Sequence, residues 1–337
     1  MIFERTYGID LGNSSVKIYF GTPGEIFSEK NIIASQGREI IAVGDEAYAM
    51  YGRQPAGIKV RSPMAFGMIS ELELQEIVLY TMIGRIGRSR GIGSVIYFTT
   101  PPDMSSIEKR AYYYVVNGHW MRQNRVYLVE SPIAEALALG IDPNNTGGVM
   151  IVNIGSQSTS FSIIAEGRIL IGRRLTTGGK QMTEAVCSAV RRECHLQIGT
   201  VTGRKLKAEL GSLGEDVHGT QKVIGIDSVS GLPREESISA EIVREGIEES
   251  VSALASEMKT FLTRIPPQTA MNIAKEGIYL TGGSAHLPGI HQFLANSTGY
   301  SFNLPDAYEK ASINGLEKII QNKELRKWAS PINERKF

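Results

Sequence analysis

Tyr7-Gly8-Ile9-Asp10-Leu11-Gly12-Asn13-Ser14-Ser15-Val16-Lys17-Ile18-Tyr19-Phe20 is an apolar run, a small polar turn and a second apolar run. The pattern predicts two strands joined as a hairpin. Gly12 lets the backbone approach an anion closely, Asn13, Ser14 and Ser15 leave room, and successive N–H groups in such a turn form an anion-binding concavity. Lys17 adds a positive charge. Read alone, the stretch is also what an ordinary β-hairpin with a Gly-Asn turn looks like. A second copy shifts the balance. Residues 147–164 repeat the order, with an apolar run holding Asn153, the turn Gly155-Ser156-Gln157-Ser158, and a second apolar run from Thr159. Two related phosphate-clasping hairpins, one in each half of the chain, predict a nucleotide held between two similar lobes.

A third glycine-bearing turn follows. Ile278-Tyr279-Leu280-Thr281 is a strand feeding Gly282-Gly283-Ser284, where backbone N–H groups can approach a base or ribose without a Cβ in the way. In the first half, a strand at 126–129 enters Glu130-Ser131-Pro132, and Pro132 suits the first turn of the helix that begins there. Polar groups at that strand-to-helix switch are expected to face a cleft. Helices are expected over 71–86 (core side Leu72, Ile77, Leu79, Tyr80, Ile83), over 105–118 with Ser105 or Ser106 as cap, over 181–194 and over 239–262 (core side Ile242, Ile247, Val251, Leu254). The segment 312–337 reads as a terminal helix and a solvated end.

With 337 residues the chain has room for two domains with sizeable cores, and 42% hydrophobic against 21% charged residues describe an ordinary globular protein. A net charge of +1 gives no global argument for nucleic-acid binding. Cys187 and Cys194 are too far apart along one helix to pair, and no histidine falls in a zinc pattern. No run has transmembrane length and Glu4-Arg5 interrupts the N-terminus, so a cytoplasmic location is expected. Between 84 and 93 the chain interleaves Arg85, Arg88 and Arg90 with glycines, Ile86 and Ile92. That composition suits an anionic membrane surface, and equally a solvated loop. Ile2 and Phe3 add a second apolar point.

The order Asp10-Leu11-Gly12, Glu130-Ser131-Pro132-Ile133-Ala134-Glu135-Ala136, Asn153-Ile154-Gly155 with Ser158-Thr159, and Leu280-Thr281-Gly282-Gly283-Ser284 resembles the actin, DnaK-chaperone and sugar-kinase superfamily. Within it the chain is most similar to the bacterial MreB family, through Val43-Gly44-Asp45-Glu46-Ala47, Arg61-Ser62-Pro63-Met64, Lys207-Ala208-Glu209-Leu210-Gly211, Ser230-Gly231-Leu232-Pro233 and Pro266-Pro267. The resemblance implies an α/β, actin-like two-lobed fold, each lobe a duplicated mixed five-stranded sheet flanked by helices with small inserted subdomains. The first lobe would be 1–146 with an insertion at about 33–66, the second 147–337 with an insertion at about 182–240. It implies ATP with Mg2+, held by Asp10 (also the metal ligand) and the two turns together with Gly178, Gly179, Lys207, Glu209, Gly282, Gly283 and Ser284. Glu130, Ser131 and Asn153 occupy the catalytic positions. It further implies filaments of the chain itself at the inner face of the plasma membrane, attached through Ile2, Phe3, Ile86 and Ile92, working with membrane proteins of cell-wall synthesis to set rod shape.

The departures from that pattern share one sign. Asn153 stands where the family has an acid that helps hold Mg2+ and the attacking water, Ser131 where it has a second acid, and Lys180 where an acid is usual. Gly155-Ser156-Gln157-Ser158-Thr159 replaces Gly-Gly-Gly-Thr-Thr. An amide carries no charge for a cation, and losing a water-positioning group costs rate rather than binding. Nucleotide binding with slow or absent hydrolysis is therefore expected. The alternatives are a nucleotide-independent pseudo-ATPase that modulates an active MreB paralogue, a small-molecule kinase, for which no separate acidic base stands out, and a peptide-binding chaperone, for which no substrate domain follows the last core motif.

Overall fold

The computed structural model describes residues 5–86, 92–214 and 218–333. Their contacts form two compact units. One holds the described residues up to Thr146, Ile164–Leu175 and those from Lys310 onward; the other holds Gly147–Ile163 and Thr176–Glu309.

In the first unit, six strands among the described residues form one sheet in the order Ser330–Ile332, Arg125–Glu130, Val95–Thr100, Thr6–Leu11, Ser15–Tyr19, Ile26–Lys30. Thr6–Leu11, Val95–Thr100 and Arg125–Glu130 run parallel, and the outer strands are antiparallel. Parallel strands covered on both faces must be apolar throughout, and their side chains divide by alternation. Ile96 and Phe98 join Tyr7, Ile9, Val126 and Leu128 in one core, under Leu79, Met82 and Ile83 of helix Leu72–Arg85 and Tyr112 of helix Ser106–Tyr114. Val95, Tyr97 and Val129 point the other way, onto Ile313, Leu316 and Ile319 of helix Ala311–Gln321. Ser105 caps Ser106–Tyr114 and Glu108 reaches back to the cap N–H, a capping box. Leu72, expected on the core side, is exposed, while Gln75 and Glu76 are buried in its place.

Two features differ from the sequence reading. The end of the chain is not a solvated tail: helix Ala311–Gln321 lies in the core, and Ser330–Ile332 adds a sixth strand by pairing antiparallel with Arg125–Glu130. The reason is the apolar face of Ile313, Leu316, Ile319 and Ile320, which Gly8 receives, because a Cβ at Gly8 would stand 2.8 Å from the Ile320 side chain. Strand Arg168–Leu175 likewise packs with the first unit, where Arg174 pairs with Glu108 at 2.7 Å. A three-stranded sheet of Ile33–Gln36, Glu39–Val43 and Ile58–Arg61, with helix Asp45–Ala49, forms the insertion.

The second unit contains Thr159–Ala165, Val149–Ile154, Ile278–Thr281 and Phe302–Asn303 as neighbouring strands in that order. Helix Gly179–Cys194 packs on helix Ala240–Leu262 at Gly246, where a Cβ would meet the Ala185 carbonyl at 2.8 Å. That contact turns the long helix so that Val243, not Ile242, is buried with Ile247, Val251 and Leu254. The insertion here is helix Thr200–Leu210 with a sheet of Leu196–Gln197, Thr220–Asp227 and Pro233–Ser239. Cys187 and Cys194 are free thiols. No helix among the described residues is long and apolar enough to cross a membrane.

Helix Ala311–Gln321 crosses helix Ser131–Ala138 at Gly315, where a Cβ would overlap the Ala134 carbonyl, and Ser312 Oγ donates to buried Glu135 at 2.7 Å beside it. Gly315→Ala should therefore cost about 1–3 kcal/mol, read as a lower urea midpoint; an unchanged midpoint would show that the helices can part without loss.

Candidate functional site

Covered on both faces, the first sheet offers polar chemistry only at its strand ends, and the carboxyl ends of parallel strands are where ligands gather in α/β sheets. Asp10 lies opposite Thr99, and Glu130 opposite Thr100, so the three strands end together. Beyond Asp10, Gly12 N–H donates to the Ser15 carbonyl at 3.0 Å, and a Cβ at Gly12 would stand 2.9 Å from that oxygen. The turn is tight enough to require glycine. Its outer side is clamped: Asn31 Nδ2 donates to the Gly12 carbonyl at 2.9 Å, and Asn31 N–H to the Ser14 carbonyl at 3.0 Å. Buried Asn31 is itself paired with Gln75.

Two side chains serve differently from the sequence reading. Asn13, expected only to leave room for phosphate, is an anchor: its Oδ1 accepts from Gly67 N–H at 2.7 Å and its carbonyl accepts from Ser62 Oγ at 3.2 Å. Lys17, expected to face an anion, sits opposite Asp10 across the hairpin, buried, with Nζ 3.3 Å from Asp10 Oδ2. The pleat puts both on one face, and burial of either ion favours pairing. Thr99, absent from the sequence expectation, donates from Oγ1 to Asp10 Oδ1 at 2.7 Å. Its signal was two threonines closing an otherwise apolar strand. Ser14 and Ser15 complete the turn, Ser14 exposed.

Glu130 is the residue before helix Ser131–Ala138, which begins at Ser131 with Pro132 in its first turn. Glu130 lines a cavity of about 390 Å³ with Asp103, Ile133, Arg168 and Trp328. Desolvation raises its carboxyl pKa, and Lys109 partly offsets this.

The second unit repeats the turn. Gly155 N–H donates to the Ser158 carbonyl at 2.9 Å, and a Cβ at Gly155 would stand 2.9 Å from that oxygen. Asn153 lies opposite Thr281 in the parallel pair, so the Gly282-Gly283 turn leaves its strand beside the Asn153 side chain. At Gly282, with φ of +85°, a Cβ would meet Asn153 Oδ1 and the Ile154 carbonyl at 2.6 Å. Ser284 Oγ donates to the Gly155 carbonyl at 2.9 Å. Helix Gly179–Cys194 starts against the same turn, with Gly179 N–H on the Gly155 carbonyl and Lys180 N–H on the Ser156 carbonyl at 2.7 Å. A Cβ at Gly178 would collide with the Gly155 carbonyl at 2.6 Å and the Gln157 amide at 3.0 Å. Lys207 Nζ donates to the Gly179 carbonyl at 2.5 Å, bringing a cation to this cluster. Glu209 does not join it, standing exposed with Lys205 3.9 Å away. Lys180 pairs with Glu184 along its own helix at 3.8 Å.

Asn153, Gly155, Ser156, Gln157, Ser158, Gly178, Gly179, Lys207, Gly282, Gly283 and Ser284 thus share one end of the second unit, as Asp10, Gly12, Ser14, Ser15, Lys17, Glu130 and Ser131 share one edge of the first sheet. Among the described residues no three His, Cys, Asp or Glu side chains gather as a metal site. Mg2+ on a nucleotide takes most of its ligands from phosphate and water and needs only one or two carboxylates, a role that Asp10 fits. Of the expected membrane points, Ile86 packs partly buried against the core, Ile92 is 46% exposed, and Ile2 and Phe3 lie outside the described residues.

Burial, helped by Arg204, lowers the Lys207 pKa from 10.5 to about 8. The folded protein then sheds this proton near pH 8 while the unfolded chain keeps it to about 10.5, so rising pH favours folding across that window. Wild type should gain stability relative to Lys207→Met as pH rises from 8 toward 10, read by thermal melting; parallel curves would overturn this.

The family profile described as MreB/Mbl protein matches residues 4–327. Cell shape-determining protein Mbl of Bacillus subtilis is 30% identical over 299 residues, 87% of this chain and 89% of the relative. Cell shape-determining protein MreB of Escherichia coli is 28% identical over 308 residues, 88% of each. Among solved structures, MreB5 of Spiroplasma citri bound to AMPPNP superposes with a TM-score of 0.88 at 24% identity, covering 97% of this chain and 98% of that one. The MamK double helical filament gives 0.76 at 16% identity, over 95% and 99%. The fold is therefore actin-like, and the chain, with its paired glycine-led turns, belongs to the MreB/Mbl family.

Proposed function

We propose that the chain binds ATP with Mg2+, hydrolyses it slowly or not at all, and assembles with copies of itself into filaments at the inner face of the plasma membrane. There it works with membrane proteins of cell-wall synthesis in setting cell shape. The observation that carries the nucleotide reading is the repeated turn: Gly12 to Ser15 and Gly155 to Ser158 close with the same N–H to carbonyl bond and the same lack of room for a Cβ. The amides of Ser14, Ser15, Ser156, Gln157 and Ser158 are the phosphate donors in this reading, with Lys207 adding charge beside Gly178 and Gly179 and with Gly282, Gly283 and Ser284 nearest the nucleoside. The titles of two similar structures support it, naming MreB5 bound to AMPPNP and to ADP. The MamK filament and the relatives' description as cell shape-determining support assembly and the cellular role.

Slow hydrolysis follows from charge. In phosphoryl transfer the protein mainly positions groups and stabilises developing charge, and here the groups at the water-facing positions, Asn153 and Ser131, are neutral. Glu130 is the acid left near them, and desolvation disfavours its ionised form. A second reading, a pseudo-ATPase that modulates a paralogue, draws on the Lys17–Asp10 pair, which neutralises the acid best placed for Mg2+.

Phosphate release with ATP and Mg2+ should be near background for wild type and should rise about 10- to 100-fold in Asn153→Asp combined with Ser131→Glu, since a positioned acid or base contributes on that scale. Wild type already turning over at the rate of the double variant would overturn slow hydrolysis. Asp10→Ala should weaken Mg2+-dependent binding of a fluorescent ATP analogue about tenfold or more, the scale of one lost charged contact. Unchanged affinity would favour the pseudo-ATPase.

A further inference from the structure

At the opposite end of the first sheet, where the parallel strands begin, the loops gather cations and exposed apolar side chains. Ile92 bridges to Arg122, and Gly93 N–H donates to the Arg122 carbonyl at 3.2 Å. Val95 N–H donates to the Arg5 carbonyl at 2.8 Å. Arg5, Ile92, Arg122 and Arg125 therefore emerge along one edge, all exposed. Trp120 stands two residues before Arg122 and is 45% exposed, close to the 46% of Ile92. Residues 117–125 hold His119, Arg122 and Arg125 and no acid.

The indole is held in place. Buried Glu76 accepts backbone N–H bonds from His119 at 3.0 Å, Trp120 at 2.6 Å and Met121 at 3.0 Å, which fixes the loop. Tyr80 lies against the Trp120 ring with centroids 5.5 Å apart, and His119 meets it edge-on at 5.2 Å. A carboxylate spent on three peptide groups presents this side chain outward rather than burying it.

We infer that this edge, with Trp120 as its anchor, docks on an anionic lipid surface. The inference rests on the membrane attachment proposed above and assigns it a surface that the isoleucines alone do not define. Tryptophan favours the boundary where its ring is in apolar surroundings and its N–H is wet. Each cation close to an anionic leaflet improves partitioning roughly fivefold, an effect that salt screens. An exposed indole among arginines and free of local acids matches that chemistry on both counts.

The chain holds two tryptophans, so Trp328→Phe leaves Trp120 as the sole indole reporter in the full-length protein. Mixed with phosphatidylglycerol vesicles, this variant should co-sediment, its emission should shift to the blue, and lipids brominated on the acyl chain should quench it; phosphatidylcholine vesicles should do so far less. Trp120→Ala in the wild-type chain should lower vesicle partitioning about tenfold, with its folding checked by circular dichroism. Co-sedimentation without quenching would overturn the Trp120 assignment while leaving membrane attachment intact. No sedimentation with either vesicle would overturn both. Vesicle binding unchanged by Trp120→Ala, with lipid-free pelleting lost, would give the edge to contacts between copies and overturn the inference.

Discussion

Burial of the parallel strands on both faces is the constraint that orders the first unit. A strand such as Val95–Thr100, buried along its whole length, has no place for a polar side chain except where its neighbours also end. Asp10, Thr99, Glu130 and Ser131 therefore collect at one edge because three registers bring them there, not because a loop folds over to gather them. The second unit applies the same constraint with fewer strands. Asn153 and the glycine pair after Thr281 are brought together by one parallel register, and helix Gly179–Cys194 closes on the turn.

The duplicated turn explains why chemistry and stability are hard to separate here. Gly12, Gly155, Gly178 and Gly282 each lie within 3 Å of a backbone carbonyl or an amide oxygen at the point where a Cβ would be. A side chain at any of them would push apart the elements that the turn joins before it met any ligand. Other amides near the turns are already committed, those of Gly179 and Lys180 to turn carbonyls. What is left for an anion is a small set of N–H groups whose geometry is fixed by unrelated packing, which is the meaning of a preorganised site.

Much of this was legible in the sequence. Both hairpins, the Glu130–Ser131–Pro132 switch and the long helices follow from apolar period and turn chemistry, which are local signals. What escaped depends on contacts between distant residues. Lys17 reads as a free cation until register puts it opposite Asp10, and Asn13 reads as a small turn residue until Gly67 bonds to it. Glu209 shares a helix with Lys207 but points to solvent, a difference set by helix phase against Gly203 and Leu206, which are buried. The last strand and helix were read as solvated because lysines and arginines crowd that segment, yet their charged ends lie outside while Ile313, Leu316 and Ile319 fill a core.

That final segment also bears on how the chain comes off the ribosome. Synthesis is directional, and domains generally fold as their residues emerge. The second unit, ending at Glu309, has all its residues while the first still lacks the helix that covers one face of its sheet and the strand that closes one edge. Until residues 311–332 are made, Val95, Tyr97 and Val129 have no cover from that helix and the Arg125–Glu130 edge stays open to pairing with other strands. The part of the protein translated first is thus completed last, and the interval before its closure is when the nascent chain is most exposed to mispairing with its neighbours.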